Sequence, residues 1–190
     1  LALIFSNVLT IILALTQNWD FLTILWVYWS QSVIIGIFSY LKILSAKQFD
    51  VGNMMFNNKP LSNDKKSKLI IANFFAFHYG FFHIGYFFFL WFFSHIIPTI
   101  ANEPSTVNFQ EIYIGAGIFF TNHLFSYFYN RRKEINKKQN IKHLMFFPYL
   151  RVLPMQLTFV IGLPITMFLI LKSAVDVIMQ TIENNLNMEF

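Results

Sequence analysis

Long apolar runs alternate with short polar stretches along the whole chain. A helix needs about 20 apolar residues to cross the hydrocarbon core of a bilayer, and five runs approach that length. Leu1 to Thr16, "LALIFSNVLTIILALT", is the shortest, and it starts on Leu rather than Met, so its helix is expected to begin upstream. Phe21 to Leu44, Leu69 to Ile97, Phe109 to Asn130 and Phe146 to Leu171 follow. A cleaved signal peptide is the rival reading of the first run. The run lacks the basic n-region and small-residue cleavage site of such a segment, and four spans would remain without it. The pattern predicts an all-α, polytopic integral membrane helix bundle of about five transmembrane helices. Residues 1–172 form one bundle domain, and 173–190 a polar, helical tail.

Composition agrees. Hydrophobic residues make up 56% of the 190, charged ones only 12%, and Phe alone supplies 25. Soluble domains carry about 25% charged residues, and a domain of this size leaves much of its surface wet. The exterior is therefore expected to face the lipid bilayer. With no cysteine, there is no disulfide, thiolate metal site or cysteine nucleophile.

The net charge of +5 would suggest nucleic acid if its placement did not explain it otherwise. Of the 14 Lys and Arg, six lie between Lys42 and Lys68 and six between Arg131 and Lys142. The alternate loops, Gln17 to Asp20 and Pro98 to Gln110, carry none. That alternation follows the positive-inside bias. It makes both basic loops cytoplasmic, with the N-terminus inside, the C-terminus outside and the chain multi-pass in the cell membrane. Nucleic acid is not an expected partner. A docking patch for anionic lipid is the other use for such lysines.

Ionisable groups inside a membrane are costly and point to function. The third run contains "FHYGFFHIGYFFFLWFFSH", from Phe77 to His95. At a rise of about 1.5 Å per residue, His78 lies roughly 13 Å deep and His83 roughly 20 Å. His95 falls at the outer interface. On the same scale His123 is roughly 10 Å from the cytoplasmic face, Arg151 roughly 8 Å and Gln156 roughly 15 Å. Tyr28, Ser30, Gln31 and Ser32, from "YWSQS", come near the midplane. Several helices thus bring polar groups to similar depths. Arg151 is expected to snorkel to the interface, its alternative being an inward guanidinium. Asp20, Glu111 and Asp176 are expected near outer helix ends.

His78, His83 and His123 are candidate ligands for a transition metal or haem, since imidazole suits Zn, Cu, Fe and Ni. His78 and His83 lie about 140° apart on a regular helix, so a π-bulge at Gly80 would be needed to align them. Interhelical hydrogen bonding is the simpler use of these rings. Pro154 and Pro164 are candidate kinks. Gly115, Gly117, Gly36 and Gly85 are candidate close-packing positions, and Trp26, Trp29 and Trp91 are candidates for the interface belt.

The stretches "VYWSQSVIIGIFSYLKIL", "FHYGFFHIGYFFFL", "NHLFSYF", "PYLRVLPMQLTFVIG" and "LKSAVD" resemble DUF6498, a family of small multi-spanning proteins of unknown function, over nearly the whole chain. The resemblance matches the family's histidines at His78, His83 and His123 and its Lys-x-x-x-Asp at Lys172 and Asp176. Where the family pattern has an acidic residue or a histidine, this chain has Gln31, Gln156 and Gln180. Glutamine keeps hydrogen bonding but ligates metal poorly, so any metal site in the family would be altered here.

These readings favour a membrane component without an assigned activity. It would be a small subunit or scaffold of a membrane complex, or a homo-oligomer, with a polar cluster of His78, His83, His123, Arg151, Gln156, Gln31 and Tyr28 that stabilises the bundle or binds a small ligand. The alternative is a metal- or haem-binding membrane enzyme, and a weaker one a channel or transporter component.

Overall fold

The computed structural model describes residues 9–10, 12–102, 104–105, 107–134, 137–161 and 165–185, the side chains of 132–134, 155–161, 165–171 and 183–185 excepted. It is mostly helical. Residues 12–16 are helical, and a turn with Asn18 at φ 52° leads into α1, Phe21–Ser45. Asp20 caps α1, its carboxylate accepting from the Leu22 N–H at 2.9 Å. α2 spans Lys65–Trp91 and is capped by Asp64, which accepts from the Ser67 N–H at 2.7 Å.

A π-helical turn, Phe92–Ile96, follows without a break, then the short α3, Ile97–Ala101, closed by Asn102 in the left-handed region. The π turn lies well beyond Gly80, where an alignment of His78 with His83 would have needed it; α2 is regular at that glycine. α4 spans Phe109–Glu134, α5 Ile141–Ile161 and α6 Ile165–Asn185. Among the described residues two helical stretches are long and apolar enough to cross a membrane, Phe21–Ser45 and Lys65–Ala101.

Four short strands order the polar loops. β1, Phe49–Asp50, pairs in parallel with β4, Gln139–Asn140. The Gln139 N–H donates to the Gln48 carbonyl at 2.9 Å, and Lys138 reaches Asp50 at 3.0 Å. β2, Met55–Phe56, and β3, Lys59–Pro60, form a hairpin whose two turn residues, Asn57 and Asn58, both have positive φ, as a type I′ turn requires. The two basic loops therefore meet at one end of the bundle. At the other end the Asn108 N–H donates to Thr23 Oγ1 at 3.1 Å.

α1 is the hub and packs against α2, α4 and α5. One buried cluster, including Leu25, Val27, Leu90, Val107 and Phe119, fills the end away from the basic loops. A second, including Ile43, Ile71, Phe75, Leu144 and Met179, fills the basic-loop end. Gly36 and Gly115 are required by these contacts: a Cβ at Gly36 would lie 2.4 Å from the Tyr79 ring, and one at Gly115 2.7 Å from Val27. Gly117 and Gly85 face open space, so close packing does not explain them.

The expected fifth span, Phe146 to Leu171, is divided between two helices. Arg151 and Lys172 line one cavity, yet on a straight helix they would be about 31 Å apart. Met179 also packs in the cluster that holds Leu144 near the start of α5. α6 therefore runs back along α5 and ends near the basic loops rather than at the far end. The boundary expected at residue 172 falls inside α6, whose Asp176 and Met179 are buried. α5 itself continues through Pro148 and Pro154, and Pro164 lies outside the described residues.

Candidate functional site

Tyr28, Gln31, Ser32 and Ile35 recur at helical spacing, so α1 turns one stripe toward α5 and α6. With Arg151 and Val152 of α5 and Lys172 of α6 they line a small cavity, with room for about one water molecule. Gln31 is 1% exposed, and neither its amide nitrogen nor its amide oxygen has a hydrogen-bond partner. Each such orphan costs about 1–3 kcal/mol, so the cavity is a place where a polar guest would be welcomed.

The charges around it are ordered. Lys172 and Asp176, one helical turn apart, form a buried ion pair. The Lys172 ammonium lies over the Tyr28 ring, 4.9 Å from its centroid, a favourable cation–π geometry. Arg151 is 5% exposed and does not snorkel. The reason is length: α5 begins at Ile141, five residues before the expected start, which places Arg151 about 15 Å from the helix end. Asp176 is likewise buried at mid-helix, while Asp20 and Glu111 sit at helix starts as expected.

The histidines do not gather. His78 lies on an exposed face, with Nδ1 2.8 Å from the Tyr149 hydroxyl. His83 is buried; its Nδ1–H donates to the Tyr79 carbonyl at 2.8 Å, its ring stacks on Tyr79 at 4.1 Å, and its Nε2 is buried without a partner. The Tyr79 hydroxyl in turn donates to the Ser32 carbonyl at 2.9 Å, which links this layer to the cavity wall. His123 is buried on α4; its Nδ1–H donates to the Phe119 carbonyl at 3.0 Å and its ring packs on Phe38. Arg151, Lys42 and Lys172 are within electrostatic reach of it. Among the described residues no three His, Asp or Glu side chains are grouped to hold a metal ion. The ligand set His78, His83 and His123 is therefore not assembled, because His78 and His83 face different sides of α2. The Gln156 side chain lies outside the described residues.

Of the candidates, Tyr28, Gln31 and Arg151 come together at the cavity. Lys172 and Asp176 join the cluster although the sequence pattern puts Lys172 at the last residue of the bundle and Asp176 in the tail. Their signal was a Lys–Asp pair at i, i+4 within the apolar period of "LILKSAVDVIM". The tryptophans also differ from expectation. Trp26 donates to Ser94 Oγ in the π turn at 2.8 Å, and Trp29 to the His83 carbonyl at 2.9 Å, so they tie α1 to the π turn and to α2 instead of marking an interface. His95, the expected interfacial residue, stacks beside Trp91.

Searches of curated proteins and of solved structures return no match. The family model of DUF6498, a family of unknown function, matches residues 1–187. Matched over nearly its full length, the chain belongs to the DUF6498 family.

Proposed function

We propose that this protein is a multi-pass component of the cell membrane whose bundle binds the anionic or acceptor head of a small ligand at Gln31, Arg151 and Lys172. The observation that carries the reading is Gln31: an amide with two buried, unpartnered atoms facing a cavity shared with two cations. The membrane setting rests on α2. Phe77, Phe81 and Phe88 on its outer face are 78%, 66% and 60% exposed, an apolar surface that suits lipid.

In this setting both basic loops are cytoplasmic. α5 and α6, 21 residues each, are about 31 Å long, the length that a membrane crossing needs. The C-terminal end of α6 is then cytoplasmic as well, in place of the outside location expected from five spans. The exposed aromatic face would also serve a subunit of a larger membrane complex.

Because the chain has no cysteine, single-cysteine variants map topology without background. An impermeant maleimide should label Ser105→Cys on intact cells, and Lys138→Cys and Thr181→Cys only after permeabilisation. Labelling of Ser105 and Lys138 from the same side overturns the arrangement. For the site, Gln31→Leu should leave the unliganded protein as stable as wild type or more so, and abolish the thermal shift produced by small carboxylates and inorganic anions. A strongly destabilised variant, with no anion effect in wild type, would make the cluster interhelical glue.

A second reading, a metal- or haem-binding protein, is favoured by one observation. Backbone carbonyls hold the Nδ1–H of both His83 and His123, the tautomer that leaves Nε2 as a ligand. Stoichiometric metal in purified protein, lost in His83→Ala or His123→Ala, would promote it.

A further inference from the structure

A second cleft opens at the end of the bundle where the basic loops meet. It is lined by Lys42, Ser45 and Ala46 at the end of α1, Tyr127 and Arg131 of α4, Gln139 of β4 and Leu144 of α5. Its void is ≈ 300 Å³, open mouth included. Two cations from different helices, two hydroxyls and an amide line it, and among the described residues no carboxylate does. The Arg131 guanidinium lies 5.7 Å from the centroid of the Tyr127 ring, which steadies it at the rim.

The carbonyls that end α1 would repel an anion, but Lys68 covers them. Its ammonium donates to the Leu44 and Ala46 carbonyls at 3.0 and 2.8 Å. The β1–β4 pairing fixes Gln139 beside the cleft by tying it to Gln48.

We propose that this cleft is a phosphate site, filled by the headgroup of an anionic phospholipid in the leaflet that faces the basic loops. Basic pockets between helix ends at the cytoplasmic face have the chemistry for such headgroups. The Arg131 guanidinium offers a planar fork to phosphate oxygens, and the Lys42 ammonium and Tyr127 hydroxyl lie beside it on the same lining, while the Ser45 hydroxyl donates to the Lys42 carbonyl at 3.2 Å. The inference rests on the membrane setting proposed above but not on the Gln31 cavity.

The test uses the full chain, delipidated in a neutral maltoside detergent. Added phosphatidylglycerol should raise the melting temperature and phosphatidylcholine should not. Arg131→Gln should weaken the phosphatidylglycerol effect about fivefold, as loss of ~1 kcal/mol from one basic residue at a membrane surface implies. Lys59→Gln, the same charge change on the exposed hairpin, should leave it intact. Equal weakening in both variants, or equal protection by phosphatidylcholine, overturns the site. Protection by inorganic phosphate matching that of the lipid, and lost in Arg131→Gln, assigns the cleft to free phosphate and overturns the lipid as its occupant. A chain that stays monodisperse without detergent overturns the membrane setting and this proposal together, whereas a failed Gln31→Leu experiment leaves this one standing.

Discussion

α1 and the continuous helical stretch Lys65–Ala101 that opens with α2 are almost equally apolar, with mean hydropathies of 1.7 and 1.6, yet over their most apolar parts 61% of α1 is buried in the protein and only 11% of that stretch. What separates them is where the polar atoms point. α1 buries Gln31, Ser32, Ser39 and Lys42 against its neighbours. The longer stretch through α2 turns Phe outward and keeps its inward polar atoms for contacts to α1: the Tyr79 hydroxyl, the His83 carbonyl and Ser94. Hydropathy thus reports that a segment tolerates a dry environment. It does not report whether protein or lipid supplies that environment. The distinction lies in small and polar residues at helical spacing, which are worth keeping only where a partner helix meets them.

The comparison can be broken most sharply on the inward side of α1. Asp176→Asn leaves the buried Lys172 without its carboxylate and should cost about 3–5 kcal/mol, whereas the double change Lys172→Met with Asp176→Leu should recover most of that loss. Reversible unfolding in mixed micelles measures both, and equal losses for the single and double variants would show that the pair is not the relevant unit. On the outward side, Phe81→Asp places a charge where α2 faces away from the protein. It should disfavour insertion by roughly 3 kcal/mol on a translocon scale, read as the inserted fraction in a glycosylation-mapping assay. No change in that fraction would deny the lipid contact.

A smaller effect separates the two helices through matched glycines. Gly36→Ala drives a methyl into the Tyr79 ring and should cost about 1–3 kcal/mol, while Gly85→Ala meets nothing and should be neutral or slightly stabilising. Similar values at both sites would erase the contrast.

The smallest effect is in the loops, and it is pH-dependent. The Gly52 backbone N–H, with Lys138, holds the Asp50 carboxyl below the usual carboxylate range, and the Ser67 N–H does the same for Asp64. For depressed carboxyls the stabilising contribution is fully present above the ordinary value near pH 4 and is lost as pH falls through the native one. Amide exchange at Ser67 and Gln139 should therefore be flat from pH 5 upward, after correction for intrinsic rates, and lose protection only in acid. Protection lost between pH 6 and 8 would exclude both carboxyls as the cause.

The mostly helical character was legible because runs such as Phe21 to Leu44 and Phe109 to Asn130 carry their own length signal, whereas the four short strands of the loops carry none. The meeting of the basic loops was implicit in the charge alternation, and β1 and β4 place them together. The division of the last apolar run into α5 and α6 was not legible. Nothing in the apolar count distinguishes one 26-residue run from two helices that share it, and Lys172 read as a terminus because charge normally marks one. Gln31 and Tyr28 could be picked out as polar residues in an apolar run. The convergence of Arg151 with them depended on α5 starting at Ile141, a boundary set by the strand just before it. The scatter of the histidines was only half legible: the roughly 140° between His78 and His83 follows from their spacing, but the backbone carbonyls one turn earlier that fix one nitrogen of His83 and of His123 are seen only in the structure.

The bridge from Phe49 to Gln139 joins positions separated by two of the long helices. Contacts so distant along the chain form only after the intervening segments have found their places, because loop closure must come first. That two-residue ladder is therefore a natural stopwatch for biogenesis: a nascent chain halted before residue 139 cannot possess it, and the moment the Gln139 amide gains protection marks the moment the long helices α1, α2 and α4 have become one object.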